Sequence, residues 1–349
     1  MATPAYQIGE YRFSPEEFLP MKLFEAITDF RVDRPQAILE EAARRRKRLS
    51  LTHDGRLVIL ATDHPGRRVT GLGADDPLGM GDRHSYLARA LRVLAAPGCD
   101  GIMGTTDFME DVLIVNALVR ESGGPSLIDG KVLVGCMNRG GHAGVVGEID
   151  DRFTCFTSHQ LKRMNFDGGK LMYRLDPEDD RTIKAISDCA DAITDLYRDD
   201  LYAFLEPMSV RKKQDGGYET IKTVDTLVRD AGAAAAMGES SARTYLKLSY
   251  TEGYDRVARA TTLPILMLGG PPREDPTSIL RDFAAGMKSG ANVRGVMVGR
   301  NVTFSAREDP RALAAAVCGI VHENLATDSS LERLAAERGQ AMDVFARWR

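Results

Sequence analysis

Four ionisable side chains set in short apolar runs are the residues of this chain best suited to chemistry. Lys247 sits in the middle of Thr244-Tyr245-Leu246-Lys247-Leu248-Ser249-Tyr250-Thr251, and Lys170 in Asp167-Gly168-Gly169-Lys170-Leu171-Met172-Tyr173. Glu206 lies in Phe204-Leu205-Glu206-Pro207-Met208, and Asp63 closes Ala61-Thr62-Asp63-His64-Pro65. A lysine is seldom buried without a partner, so an ammonium in an apolar strand belongs either to a site or to a structural ion pair. In a site, desolvation or a neighbouring cation favours the neutral amine, which attacks a carbonyl carbon to form an imine. Two lysines and two carboxylates converging on one mouth would supply a nucleophile, its electrostatic neighbour and two proton carriers. A structural salt-bridge network would use the same four residues.

A second group of residues suits an anion. The runs Leu266-Met267-Leu268-Gly269-Gly270-Pro271-Pro272 and Val296-Met297-Val298-Gly299-Arg300-Asn301 each end in glycine. Glycine lets backbone N–H groups approach a phosphate closely, and Arg300 adds a charge-assisted contact. Gly269, Gly270, Gly299 and Arg300 are therefore the candidate phosphate-binding residues. The run Arg139-Gly140-Gly141-His142-Ala143-Gly144 fits neither a Walker A loop nor a dinucleotide fingerprint and is expected to be a flexible mouth loop. The six histidines show no H-x-H or H-E-x-x-H spacing, so neither a catalytic metal nor another cofactor is expected.

Side chains so far apart in sequence meet only if a sheet gathers them. From residue 57 onward, apolar runs alternate with longer amphipathic stretches, the rhythm of a parallel sheet. The runs are Leu57–Thr62, Asp100–Gly104, Lys131–Met137, Gly169–Leu175, Leu201–Glu206, Thr244–Ser249, Pro264–Leu268 and Arg294–Val298. Such units could close into a barrel or form an open, doubly wound sheet. The polar residues favour the barrel, because they follow many different runs, and in a barrel all strand C-termini surround one mouth. The expected fold is α/β, a (β/α)8 TIM barrel over residues 51–349 with residues 1–50 as an N-terminal helical extension. That extension opens at Ser14-Pro15-Glu16-Glu17, a capped helix start, and is expected to close the barrel bottom or to make a subunit contact. The basic run Arg44-Arg45-Arg46-Lys47-Arg48 is expected to be a solvated helix end.

Composition narrows the function. Hydrophobic residues at 43% and charged residues at 28% fit a soluble globular chain, and a net charge of -4 offers no footprint for nucleic acid. No apolar run approaches the ~20 residues needed to span a bilayer. Met1 to Glu10 lack the basic and apolar regions of a signal peptide. Five cysteines without a C-x-x-C pair fit a reduced intracellular protein. The expected setting is the cytoplasm, and the expected partner is a small molecule rather than nucleic acid or a membrane.

The segment Leu246-Lys247-Leu248-Ser249-Tyr250-Thr251, with Pro264-Ile265-Leu266-Met267-Leu268-Gly269-Gly270 and Val298-Gly299-Arg300-Asn301, resembles the C-terminal half of archaeal-type class I fructose-bisphosphate aldolases. The strands carrying Lys170 and Glu206 resemble those of the tagatose-bisphosphate aldolase branch of the same superfamily. As a whole the chain resembles actinobacterial aldolase-like proteins associated with myo-inositol breakdown. The resemblance implies that Lys247 is a Schiff-base lysine accompanied by Asp63, Glu206 and Lys170, and that Gly269, Gly270, Gly299 and Arg300 hold a substrate phosphate. It further implies a cofactor-free class I aldolase, a homo-oligomer, acting on a phosphorylated keto sugar. The candidate substrate is 2-deoxy-5-keto-gluconate 6-phosphate, with dihydroxyacetone phosphate as one product. Archaeal-type enzymes commonly present a tyrosine before proline where Glu206 precedes Pro207, so the proton-transfer role does not carry over from them. The residues alone leave open a non-catalytic sugar-phosphate-binding barrel, an acyl-transferring or isomerising lysine enzyme, and a zinc-dependent aldolase.

Overall fold

The computed structural model describes residues 6–73, 75–214, 216–305 and 308–348, so the first five residues of the Met1–Glu10 segment lie outside it. In chain order its strands are β1 (Leu57–Ala61), β2 (Gly101–Gly104), β3 (Val132–Cys136), β4 (Gly168–Leu175), β5 (Tyr202–Lys212), β6 (Tyr218–Thr220), β7 (Thr244–Ser249), β8 (Ile265–Leu268) and β9 (Val293–Val298). The pairing order β4-β3-β2-β1-β9-β8-β7-β5 closes on itself through β4–β5, and every pairing in the ring is parallel. Helices α1 (Pro15–Phe18), α2 (Met21–Asp33) and α3 (Ala37–Arg44) precede the first strand. Between strands run α4 (Arg83–Leu94), α5 (Thr106–Glu121), α6 (Ser158–Arg163), α7 (Arg181–Arg198), α8 (Val224–Ala235), α9 (Tyr254–Arg259) and α10 (Thr277–Met287). The last strand is followed by α11 (Arg300–Thr303), α12 (Pro310–Glu323) and α13 (Thr327–Glu337). The fold is a (β/α)8 TIM barrel.

Strand alternation splits the core in two. Leu57, Ile59 and Ala61 pack on the barrel axis with Val132, Val134, Phe204, Leu266 and Met297. The intervening Val58 and Leu60 join Leu246 and Leu248 in the larger core under the helices. Because side chains alternate with a period of two, an inward residue stays inward two positions along. That parity later selects the site.

Two local readings need correction. The fifth strand was expected to stop at Glu206 but continues to Lys212 and pairs antiparallel with β6, with Val210 opposite Thr220. Gly216 and Gly217, with φ of 83° and 74°, take the left-handed conformations of that reversal. The basic run is only in part the expected solvated helix end: Arg44, Arg46 and Lys47 are exposed, whereas Arg45 and Arg48 are drawn inward. Arg45 is buried, donating to Lys131 O at 2.6 Å and pairing with Asp167 at 3.1 Å. Arg48 pairs with Asp100 at 2.7 Å and Lys47 donates to Phe166 O at 2.8 Å. These partners stand just before β2, β3 and β4, at the barrel's N-terminal end, where the run acts as a clasp. Upstream, Arg31 and Arg34 pair with Glu110, Asp111 and Glu121 on α5. Among the described residues no helix is long and apolar enough to cross a membrane.

Candidate active site

Inward parity brings the four predicted ionisable residues together. Lys170 lies on β4, Glu206 on β5 and Lys247 on β7, and Asp63 continues the inward face of β1 beyond Ala61. Register sets their heights: Met172 pairs with Glu206, Cys136 with Lys170, and Lys247 with Leu266. The charges form one alternating row. Lys247 Nζ donates to Glu206 Oε2 at 3.0 Å, and Lys170 Nζ lies 2.8 Å from the same oxygen. Lys170 Nζ also donates to Asp63 Oδ2 at 3.3 Å, and Arg67 Nε lies 3.1 Å from that oxygen. Three cations thus alternate with two carboxylates, leaving one positive charge in surplus.

The row divides into members that line the mouth cavity and members hidden beneath it. Lys247 and Glu206 line a cavity of about 310 Å³ at the C-terminal mouth. Lys170 and Asp63 do not reach its wall, and each is 0% exposed. Burial lowers the Lys247 pKa and Lys170 lowers it further, against the pull of Glu206. For Lys170, burial is outweighed by the Glu206 and Asp63 carboxylates, and its pKa is raised. The two lysines are therefore unlike: Lys247 is the one biased toward the neutral amine. Glu206 is held well below the usual carboxylate range, because Lys170 and Lys247 outweigh its burial. Asp63 is lowered in the same way by Arg67 and Lys170. His64, 3.7 Å from Asp63, is driven by burial down to about 3 and is neutral at ordinary pH.

The glycine segments occupy the same cavity. Gly269, Gly270, Gly299 and Arg300 all line it. A Cβ on Gly269 would fall 2.2 Å from the Asn301 side chain, and one on Gly299 would fall 2.9 Å from Ala61 O, so only glycine fits. The Gly299 N–H donates to Asn301 Oδ1 at 3.2 Å, which leaves that residue a close-approach role rather than a free donor. Arg300 donates one N–H to Gly71 O at 3.2 Å, while its buried Nε has no hydrogen-bond partner. Among the described residues it makes no ion pair.

Arg139, on the segment after β3, and Arg174, on β4, line the cavity across the ring from β8 and β9. Their charge is spent: Arg139 pairs with Asp151, and Arg174 pairs with Glu148 and Asp151, both at 3.0 Å. The loop expected to be flexible at Arg139–Gly144 is instead tied down. Besides the Arg139 pair, Gly141 N–H donates to Gly66 O at 2.8 Å and Ala143 N–H to Arg67 O at 3.2 Å. Arg67 and Arg174 were not singled out from sequence. The i, i+4 spacing of Asp63 and Arg67 and the inward parity of residues 170, 172 and 174 were the signals available. Among the described residues no group of three or more His, Cys, Asp or Glu side chains is placed to hold a metal ion.

The fold and site define a (β/α)8-barrel protein with a buried lysine at its mouth and glycine turns after its last two strands. The chain belongs to the Cgl0159-like family, whose family model matches residues 55–318. It is similar to the crystal structure of Cgl0159 from Corynebacterium glutamicum, with 30% identity, a TM-score of 0.79, and coverage of 88% of this chain and 98% of that one. An archaeal fructose 1,6-bisphosphate aldolase shares the fold at 18% identity and a TM-score of 0.55, covering 82% of this chain and 99% of the other. A curated relative, 3-hydroxy-5-phosphonooxypentane-2,4-dione thiolase of Salmonella paratyphi A, is 32% identical over 106 residues. That match spans 30% of this chain and about a third of the relative, 34%.

Proposed function

We propose that this protein is a class I aldolase that makes or breaks a C–C bond of a phosphorylated keto sugar through an imine on Lys247. The observation that carries the reading is the Lys247–Glu206 pair on the cavity wall, backed by a second buried lysine on the same carboxylate oxygen. Neutral Lys247 attacks the ketone carbon, and loss of water gives a protonated imine that draws electrons from the adjacent C–C bond. Glu206, the carboxylate that reaches the cavity, takes the proton from the hydroxyl that becomes the aldehyde. Lys170 keeps Lys247 easy to deprotonate, and Asp63 holds Lys170 and Arg67 in place. The substrate phosphate binds at Gly269, Gly270, Gly299 and Arg300, because Arg300 has an unspent donor whereas Arg139 and Arg174 are already neutralised.

By resemblance the substrate is 2-deoxy-5-keto-gluconate 6-phosphate, giving dihydroxyacetone phosphate and malonate semialdehyde, in a cytoplasmic homo-oligomer. The thiolase relative supports a second reading, in which the same lysine serves acyl transfer to a thiol. A panel of phosphorylated keto sugars, with dihydroxyacetone phosphate release followed in the presence of a chelator, separates these. Release that persists with chelator and needs no thiol is expected. Loss of release in chelator, or a strict requirement for a thiol acceptor, would overturn the proposal.

A further inference from the structure

The five cysteines are not equivalent. Cys99, Cys136, Cys189 and Cys318 are buried, whereas Cys155 is half-buried. Cys136 ends β3 on the inward face, its Sγ 3.3 Å from Asn138 O and 3.8 Å from Asp63 Oδ2. Cys155 lies on the returning limb of the mouth segment 138–157, and that limb folds back on the outgoing one. Asn138 and Phe153 form an antiparallel bridge. Cys155 N–H donates to Met137 O at 3.1 Å, and Phe156 N–H donates to Cys136 O at 3.2 Å.

The chain slips by one residue from the Asn138–Phe153 register, and the bonds Cys155 N–H to Met137 O and Phe156 N–H to Cys136 O make Cys136 and Cys155 near neighbours across the two limbs. Neighbours across hydrogen-bonded limbs come within the ~4.4–6.8 Å of Cα separation that a disulfide spans. Gly140 leaves room for the sulfur, since a Cβ there would fall 2.7 Å from Cys155 Sγ. The neighbouring Cys155 thiol, together with burial, holds Cys136 well above its ordinary range as a thiol. The Cys136 thiol is in turn the main cause that brings Cys155 down to about 7. Cys99 and Cys318, the other neighbouring pair, are both pushed up by burial.

We propose that Cys136 and Cys155 form a dithiol site that hydroperoxides oxidise to an intramolecular disulfide at the base of the mouth. The Cys155 sulfur attacks the peroxide oxygen, the O–O bond breaks, and the alcohol or water leaves with the thiol proton, giving a sulfenic acid. The Cys136 sulfur then attacks the Cys155 sulfur. The S–S bond forms, the S–O bond breaks, and the hydroxyl leaves as water with the Cys136 proton. Two electrons pass from the dithiol to the peroxide. The product fastens the returning limb to β3 and removes the S–H that faces Asp63, the residue that holds Lys170 and Arg67.

The site is independent of the aldolase reading, and its test reads mass rather than turnover. Full-length protein is treated with hydrogen peroxide and analysed by non-reducing peptide mass spectrometry, beside Cys155→Ser and Cys136→Ala. Cys155 is half-buried and outside the ion row, so its serine variant keeps the fold and carries the test. The expected result is loss of the mass of two hydrogens, a peptide pair joined through Cys136 and Cys155, reversal by dithiothreitol, and no link in either variant. A stable sulfinic acid on Cys155 without a link, or a link joining any other pair, would overturn the proposal.

Discussion

Replacing Lys170 by methionine isolates its part in the row. Both lysine nitrogens sit on Glu206 Oε2, at 2.8 and 3.0 Å, so they are no more than about 6 Å apart. At an effective dielectric of ~20, two like charges at that distance repel by about 3 kcal/mol. Lys170→Met removes that repulsion and turns the row into two neutral pairs, Arg67–Asp63 and Lys247–Glu206. The neutral fraction of Lys247 at fixed pH should fall about a hundredfold, since each 1.4 kcal/mol is a factor of ten. The assay is kcat/KM against pH, with the rising limb reporting deprotonation of the free enzyme's lysine. The limb should move to higher pH, with activity recovered on the alkaline side and the melting transition still cooperative. A loss equal at every pH, with the limb unmoved, would refute the electrostatic role and leave Lys170 a structural residue.

Glu206→Gln should lower kcat by roughly 10²–10⁴-fold with a smaller change in KM, because it removes a proton carrier on the cavity wall; an unchanged kcat in steady-state assays would exclude that role. Arg300→Gln should raise KM for a phosphorylated substrate roughly ten- to a hundredfold while sparing kcat, as expected for loss of a charged hydrogen bond. A fall in kcat with KM unchanged would place Arg300 elsewhere. At the opposite end of the barrel, His322 bonds Asp54 at 2.9 Å and lies 3.1 Å from Asp100. Burial opposes its charge, but the two carboxylates prevail and raise it from 6.5 to about 9. A raised histidine contributes stability that is complete below about pH 6.5 and lost as pH rises through about 9. The melting-temperature gap between wild type and His322→Gln should therefore be widest at low pH and close on the alkaline side. A gap independent of pH would contradict the pairing.

The barrel was legible because its strands are apolar on both faces and recur with helices between them, and the eight expected runs coincide with ring strands to within a residue or so at most ends. The four charged residues were legible for a related reason: an ammonium or carboxylate inside an apolar run stands out. What was hidden depends on contacts between distant segments. Nothing local marks Arg45 as buried or Arg48 as half-buried, since their partners Asp167 and Asp100 come from other strand starts. Neutralisation of Arg139 and Arg174 by Asp151 and Glu148 likewise needs the folded mouth segment. Convergence of the four residues was read from sequence, but not their order. That Glu206 reaches the cavity while Asp63 lies beneath it follows from height in the barrel, which periodicity does not give.

An imine on Lys247 can be trapped chemically. The protein is incubated with dihydroxyacetone phosphate and borohydride, which reduces a reversible imine to a stable amine, and the adduct is located by peptide mass spectrometry. The expected result is a mass gain on Lys247 that is absent from a folded Lys247→Met variant. An adduct on Lys170 instead, or none under conditions that trap an established class I aldolase, would contradict it.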